Sequence, residues 1–431
     1  MRAVLTNFGS TGSVYPFISL AIELKRNGHE AIVALSPYFS DWVKHFELNF
    51  APIGPDLRKI QYDINEAMQD MPESEDWIRD LFAPLFPALP QMFEELRDAC
   101  RGADVLISGP WQPASMMIHE LTGIPFVTVQ NAHFGGSGTP AFQRASASLI
   151  NPFRRKHGLP LVANPLTADA NSPQLVLYNM SRHVRSPLPD WPPHYHMPGY
   201  LFLDDDDWKP DASLEAFINE GPAVVISFGS MTHDDPDALT RLMVEAIDRV
   251  GCRAIIQQGW SGLAQTVLPP NIHVTGFAPH DKLFPRALCI VHHGGSGTSA
   301  SVFRSGKPSV FVPHTYDQPL WAELAEGLGC AGPTVPYLDL SAERLADSLA
   351  KTLGDLHYFE AAAGLGVKLR AEHGLVRARQ LIEELVEKMG FRNKEAASDG
   401  TNGDGKDQEE RSNRRRMFLE KQRRRKQEAN L

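Results

Sequence analysis

The 431-residue chain contains only four cysteines, Cys100, Cys252, Cys289 and Cys330. None lie close enough in sequence to form a metal knuckle, and at least two sit in apolar runs. They read as buried free thiols of a reducing compartment, which excludes a disulfide-stapled frame. Long hydrophobic runs are absent too: nothing approaches the ~18 apolar residues that would cross a bilayer. Residues 1–5 enter a strand at once, with no secretory leader ahead of them. The expectation is a cytoplasmic protein. The body also lacks positive charge. The chain carries 42 Lys and Arg against 52 Asp and Glu, and residues 391–431 hold 12 basic and 8 acidic residues, leaving −14 on the rest. An acidic body argues against nucleic-acid binding.

What is present is an ordinary globular composition, 42% hydrophobic and 22% charged, in a chain too long for one core. Two domains are expected, 1–200 and 213–390, joined by a linker at 201–212. The stretch 391–431 is polar and poor in hydrophobic residues, so it reads as a disordered basic tail.

The first half alternates strand, turn and helix. Residues 2–8 read as a strand, 9–13 as a turn and 14–27 as a helix, with Phe17, Leu20, Ala21 and Leu24 at helical spacing. Gly28 ends that helix before a strand at 29–35. Further strands are expected at 105–108, 125–129 and 175–178. From 191 to 211 prolines crowd together (Pro192, Pro193, Pro198, Pro210) and the alternation stops. It restarts with strands at 223–227, 253–257, 272–275, 288–291 and 309–312, and 343–388 is mostly helical. The fold class is α/β: two doubly wound, Rossmann-like parallel sheets facing each other across a cleft.

The loops after the second set of strands carry the chemistry. They are Phe228-Gly229-Ser230-Met231, Gly259-Trp260, Gly276-Phe277-Ala278-Pro279-His280, His292-His293-Gly294-Gly295-Ser296-Gly297-Thr298 and Pro313-His314-Thr315-Tyr316-Asp317-Gln318. Loops at one edge of a parallel sheet lie side by side and can build one site. The fourth is a strand, a glycine turn and a helix start, a natural anion pocket of converging N–H groups at a positive helix end.

In these loops the chain resembles family 1 glycosyltransferases of the two-domain GT-B fold. Within that family it is similar to the branch of sterol glucosyltransferases, antibiotic glycosyltransferases and rhamnolipid-type rhamnosyltransferases. The resemblance is carried by 277–318, by Gly9-Ser10-Thr11-Gly12-Ser13-Val14-Tyr15-Pro16-Phe17 with Gly28-His29-Glu30, and by Asp190-Trp191-Pro192 with His196-Met197-Pro198-Gly199-Tyr200. It implies a hexosyltransferase that moves a sugar, with inversion, from a UDP- or dTDP-sugar to a hydroxyl of a lipophilic molecule of sterol, hydroxy-fatty acid or polyketide type. By position, His293 would contact the phosphates, and Gly295, Ser296, Gly297 and Thr298 would hold the diphosphate. Gly229 and Ser230 would add donors, the Phe277 loop would border the base, and Asp317 and Gln318 would bind sugar hydroxyls. The nucleotide-sugar is a co-substrate. No cofactor and no metal is implied, since fixed N–H donors stabilise the leaving diphosphate.

One position departs from that pattern. Transfer to a hydroxyl needs a base, and where the branch carries Asp this chain has Ser13. Three readings stay open: His133, in a loop expected to face the same cleft, serves instead; the acceptor hydroxyl is acidic enough to need little help; or the protein binds its ligand without turnover. A sugar-nucleotide epimerase is a further alternative, but no set of carboxylates surrounds a sugar. His29 and His292 read as structural.

Other features are weaker. Asp204 to Asp207 lie in the proline-rich connection and read as a solvated linker rather than a metal site. The Gly135-Gly136-Ser137-Gly138 run reads as a loop, with Pro140 interrupting any helix. Trp77, Phe82, Leu85, Phe86, Leu89, Met92 and Phe93 form an apolar stretch that is either core or a greasy acceptor pocket. Nine basic residues between 411 and 426 suit either a solvated end or peripheral contact with an anionic membrane at the inner face.

Overall fold

In a computed structural model the described residues are 1–57, 75, 79, 86–131, 139–231, 233, 235–259, 268–314 and 317–398, the side chains of 391–398 excepted. Contacts divide the chain into a compact unit, 1–383, and a second unit, 384–431. The expected tail therefore lies almost wholly outside the described residues.

The first unit holds two sheets. In the first, β1 (Arg2–Thr6), β2 (Glu30–Leu35), β3 (Asn49–Pro52), β4 (Val105–Ser108), β5 (Phe126–Gln130), β6 (Leu175–Tyr178) and β7 (Tyr195–His196) run parallel in the order β3-β2-β1-β4-β5-β6-β7. In the second, β8 (Val224–Ser227), β9 (Ala254–Gln257), β10 (Ile272–Thr275), β11 (Ile290–His292) and β12 (Ser309–Phe311) run parallel in the order β10-β9-β8-β11-β12. The helices are α1 (Thr11–Arg26), α2 (Ser40–His45), α3 (Leu89–Ala99), α4 (Pro113–Thr122), α5 (Pro140–Lys156), α6 (Ala212–Glu220), α7 (Pro236–Val250), α8 (His280–Leu283), α9 (Ser296–Ser305), α10 (Gln318–Gly327), α11 (Ala342–Gly354), α12 (Leu356–Arg370) and α13 (Gly374–Ser398).

The strands are unbroken apolar runs because both faces of each sheet are covered. Successive residues of the second sheet feed opposite cores. Val224, Ile226, Ile256 and Val291 pack with Met243, Ile247 and Leu345, whereas Val225, Ile255 and Ile290 pack with Leu214 and Phe284 on the other side. A third core joins the two halves: Val176, Tyr178, Met197 and Tyr200 pack with Phe303, Phe311, Trp321 and Leu365. Trp321 is completely buried there.

The structure redraws several expected boundaries. The first helix starts at Thr11, so Gly12 and Ser13 stand in its first turn rather than in a loop. Pro140 does not interrupt a helix but opens α5, capped by Thr139; at the first helical position its missing N–H costs nothing. The proline-rich stretch contributes β7, with Tyr178 stacked on Trp191 at 4.3 Å. Strand β3 has only four residues and was not expected.

The acidic connection is solvated as expected at Asp204, Asp206 and Asp207, but not at Asp205. Asp204 pairs with Arg304 and Asp206 with Lys282, while Asp205 is buried with its Oδ1 3.3 Å from His45 Nε2. All four cysteines are free, but only Cys289 and Cys330 are buried; Cys100 and Cys252 are half-buried. His29 and His292 are structural as expected. His29 Nε2 lies 2.7 Å from Glu383, and His292 is fully buried against Phe311.

Candidate functional site

In each sheet the winding reverses beside the first strand, between β1 and β4 and between β8 and β11. At such a switch point the two loops diverge and leave a crevice at the carboxyl ends of the strands.

In the second sheet the crevice is built by glycine. Gly294 has φ +90°, and a Cβ there would lie 3.0 Å from Phe311 Cδ1 and 3.2 Å from the Gln318 carbonyl. A Cβ on Gly295 would lie 2.4 Å from His293 Nε2. The turn therefore closes only without side chains, and α9 begins directly behind it. That helix has neither a side-chain cap nor an acid in its first turn. The N–H groups of Ser296, Gly297 and Thr298 are left at its positive end.

His293 is 7% exposed and lies against Gly229, whose φ is +59°. Burial pushes its pKa down to about 4; the Ser227 backbone works the other way and His233 adds to the depression. The ring is thus neutral near pH 7 and can offer an anion a hydrogen bond rather than a charge. Ser230 is half-buried in the same turn as Gly229, and Thr298 is buried.

The fifth loop leads into α10. Asp317, half-buried, accepts from Trp321 Nε1 at 2.9 Å, and burial raises its pKa to about 6 against that bond. Gln318 is buried. Its Oε1 accepts from the His314 N–H at 2.7 Å, and its Nε2 is 3.5 Å from Met231 Sδ. Thus the Gln318 carbonyl already holds its own loop. Thr315, Tyr316 and Trp260 lie outside the described residues.

The first sheet brings a second helix start to the same place. Helix α1 likewise has no side-chain cap and no acid in its first turn. Its Gly12 meets Gly297 of α9 backbone to backbone. The Ser13 carbonyl accepts from Asn7 Nδ2 at 2.8 Å and from Asn131 Nδ2 at 3.2 Å. Asn131 Oδ1 accepts from Asn179 Nδ2, and its backbone carbonyl accepts from Ser296 Oγ at 2.6 Å. Asn131 therefore ties both helix starts together. Sequence reasoning missed this hub, because an asparagine just after a strand looks like any turn residue. His133, two residues on, lies outside the described residues.

Phe277 is 53% exposed and stands edge-on to Trp42 at 5.0 Å, with Tyr15 behind Trp42 at 5.3 Å. The aromatic pair bridges the two halves. A small cavity of about 30 Å³ opens beside the β1 and β4 loops, lined by Phe8, Phe86, Leu89, Met92, Trp111, Pro113 and Leu166. The apolar stretch thus divides. Phe86, Leu89 and Met92 line the cavity, Phe93 is core, and Trp77, Phe82 and Leu85 lie outside the described residues. Among the described residues no group of three His, Cys, Asp or Glu side chains is placed to hold a metal ion.

Comparison with known proteins agrees with this architecture. Residues 3–133 match the glycosyltransferase family 28 N-terminal domain, and residues 242–377 match the C-terminal domain described as erythromycin biosynthesis protein CIII-like. The chain is 29% identical over 423 residues to the sterol 3-beta-glucosyltransferase of Candida albicans, an alignment covering 89% of this chain and 28% of that protein. It spans about a third of the length of the curated relatives it matches. Among solved structures, the glycotransferase of kitacinnamycin superposes with a TM-score of 0.69 at 22% identity, covering 89% of this chain and 98% of that one. The glycosyltransferase VinC, in complex with dTDP, superposes at 0.66 and 20% identity, covering 90% and 100%. The first sheet thus lies within a match to a glycosyltransferase N-terminal domain, and the whole chain shares the fold of solved glycosyltransferases.

Proposed function

We propose that the chain transfers a hexose, with inversion, from a UDP- or dTDP-sugar to a hydroxyl of a lipophilic small molecule of sterol, hydroxy-fatty acid or polyketide type. The observation that carries this is the meeting of two uncapped helix starts at Gly12 and Gly297, beside an apolar cavity reached from the same β1 loop. Two positive helix ends suit a diphosphate, and the apolar lining beside them suits contact with a greasy acceptor. The Candida albicans relative, named as a sterol 3-beta-glucosyltransferase, and the VinC structure, which holds dTDP, support this reading.

The N–H groups of Ser296, Gly297 and Thr298, with Gly295 supplying the turn, stabilise negative charge developing on the leaving diphosphate without reorganising. Gly229 and Ser230 close the other side, and neutral His293 donates a hydrogen bond. The exposed Phe277 ring borders the base. Asp317 accepts from sugar hydroxyls, and Gln318 offers its amide. The acceptor hydroxyl attacks the anomeric carbon from the face opposite the diphosphate. These fixed donors take the place of a metal ion, and no resident cofactor is required; the nucleotide-sugar is consumed as co-substrate. No described helix is long and apolar enough to cross a membrane. We place the chain in the cytoplasm, with the basic stretch 411–426 attracting it to an anionic lipid surface.

Ser13 cannot act as the base, and His133 takes that role in this proposal. A second reading, ligand binding without turnover, is favoured by that same serine. Release of nucleoside diphosphate is measured with a panel of hydroxylated acceptors for the wild type, His133→Ala and Ser13→Asp. Turnover that collapses in His133→Ala and is restored by adding Ser13→Asp supports the proposal. Binding without release under every acceptor establishes the second reading, and an unchanged rate in His133→Ala removes His133 as base.

A further inference from the structure

The two halves touch at a second place besides Gly12 and Gly297. Just past the carboxyl end of β2 the chain forms α2, and just past the carboxyl end of β10 it forms the loop 276–280. Ligands of parallel sheets bind at that end of the strands. Trp42 of α2 and Phe277 of the loop meet there, with ring centres 5.0 Å apart and planes at 73°. Phe277 is 53% exposed and Trp42 half-buried, so both rings keep surface open to solvent.

Trp42 is also tied to the diphosphate end of the crevice. Its ring lies 5.3 Å from Tyr15, which stands one turn beyond Gly12 on α1. A line of three rings therefore runs from the start of α1 to the loop that borders the base. A second route joins the same elements. His45 of α2 meets Asp205 of the connector at 3.3 Å, and the neighbouring Asp206 meets Lys282 of α8 at 3.0 Å. Helix α8 follows directly on the Phe277 loop. That route ends in an exposed ion pair, which contributes little. The ring contact is the stronger tie, since an aromatic pair in this geometry adds to the area it buries.

A nucleoside diphosphate carries its base and its phosphates at a separation fixed by the ribose. A site that grips both must hold its two seats at one spacing. Here the contact of Gly12 with Gly297 sets the diphosphate end. The contact of Trp42 with Phe277 sets the other end, and both are made by the half that carries the first sheet.

We propose that Trp42 is a positioning residue for the donor: it braces Phe277 at the nucleobase while α1 meets the diphosphate, so the first half of the chain completes a nucleotide seat built mainly by the second. The proposal rests on the nucleotide-sugar reading above.

The test is calorimetric titration of the full chain, Trp42→Ala, Trp42→Phe, Phe277→Ala and the double variant Trp42→Ala/Phe277→Ala. The probes are UDP and dTDP, with inorganic pyrophosphate as the probe that lacks a base. Trp42→Ala should bind the nucleotides about tenfold more weakly and pyrophosphate as well as the wild type does. Trp42→Phe should recover most of the loss, because a ring still meets Phe277. The double variant should lose no more than Phe277→Ala alone, since Trp42 acts through that ring. An equal loss for pyrophosphate would show that Trp42 only supports the cleft. Unchanged nucleotide binding in Trp42→Ala, or losses that add in the double variant, would also overturn the proposal. If Trp42→Ala does not fold, Trp42→Leu, which keeps apolar bulk without a ring, takes its place. A wild type that binds neither UDP nor dTDP defeats the underlying reading itself, an outcome distinct from the others.

Discussion

Gly297, in the first turn of α9, faces Gly12, in the first turn of α1, so closely that a Cβ on Gly297 would stand 3.3 Å from the Gly12 Cα. Two helix starts can share one anion only if neither carries a side chain at the contact. Gly297→Ala forces a shift of a few tenths of an ångström and should lower kcat/KM for the donor about tenfold. Gly297→Val should abolish turnover. Thermal unfolding should change little in Gly297→Ala, because the pressure falls on the cleft rather than on either core. Unimpaired turnover in Gly297→Val would show that the two starts need not meet.

Asn131 supplies a second link across the same cleft. Ser296→Ala removes one donor to its carbonyl and should cost about 1 kcal/mol in chemical denaturation. Asn131→Ala leaves the Ser13 carbonyl with one donor fewer and Asn179 Nδ2 without its acceptor, so about 2–3 kcal/mol is expected. No loss of stability in Ser296→Ala would mean that the hydrogen bond at 2.6 Å does not persist in solution.

Stability should bend with pH in two opposed ways. Burial depresses His280 to about 3 and His293 to about 4, from 6.5. Below pH 6.5 the unfolded chain binds more protons at these sites, so stability is full above 6.5 and is lost as pH falls toward 4. Asp317 is raised to about 6 from 3.8. Its contribution is present below 3.8 and is lost as pH rises through 6, by about 1 kcal/mol after discounting for a partly open side chain. Denaturation between pH 4 and 7.5 measures both. Asp317→Asn should steepen the loss on acidification, and His280→Phe, which keeps the stack on Phe284, should flatten it. The reverse pattern would contradict the burial of these groups.

The cavity beside β1 and β4 should belong to the acceptor. Leu89→Trp or Leu166→Trp, each adding bulk to its lining, should raise the acceptor KM at least tenfold while leaving donor affinity unchanged. A rise confined to the donor KM would assign the cavity elsewhere.

The glycine turn before α9, the loops in strand order and the Asp317–Gln318 corner were legible in the chain, because local chemistry forces them. A turn that a Cβ would block must be glycine, and strands covered on both faces must be apolar. Asp205 misled for the opposite reason. Composition reports charge but not the His45 that comes to meet it from a distant segment. Pro140 misled because proline is a breaker inside a helix and a starter at its first position; the Thr139 cap decides which.

The sequence by itself determined the alternation of strands and helices and the residues that could grip an anion, since these follow from periodicity and backbone freedom over a few neighbours. Only the tertiary structure decided that Gly12 would meet Gly297 and that Asn131 would bind both helix starts. Each joins parts of the chain through burial and hydrogen bonds fixed by packing, and no local pattern records such pairings.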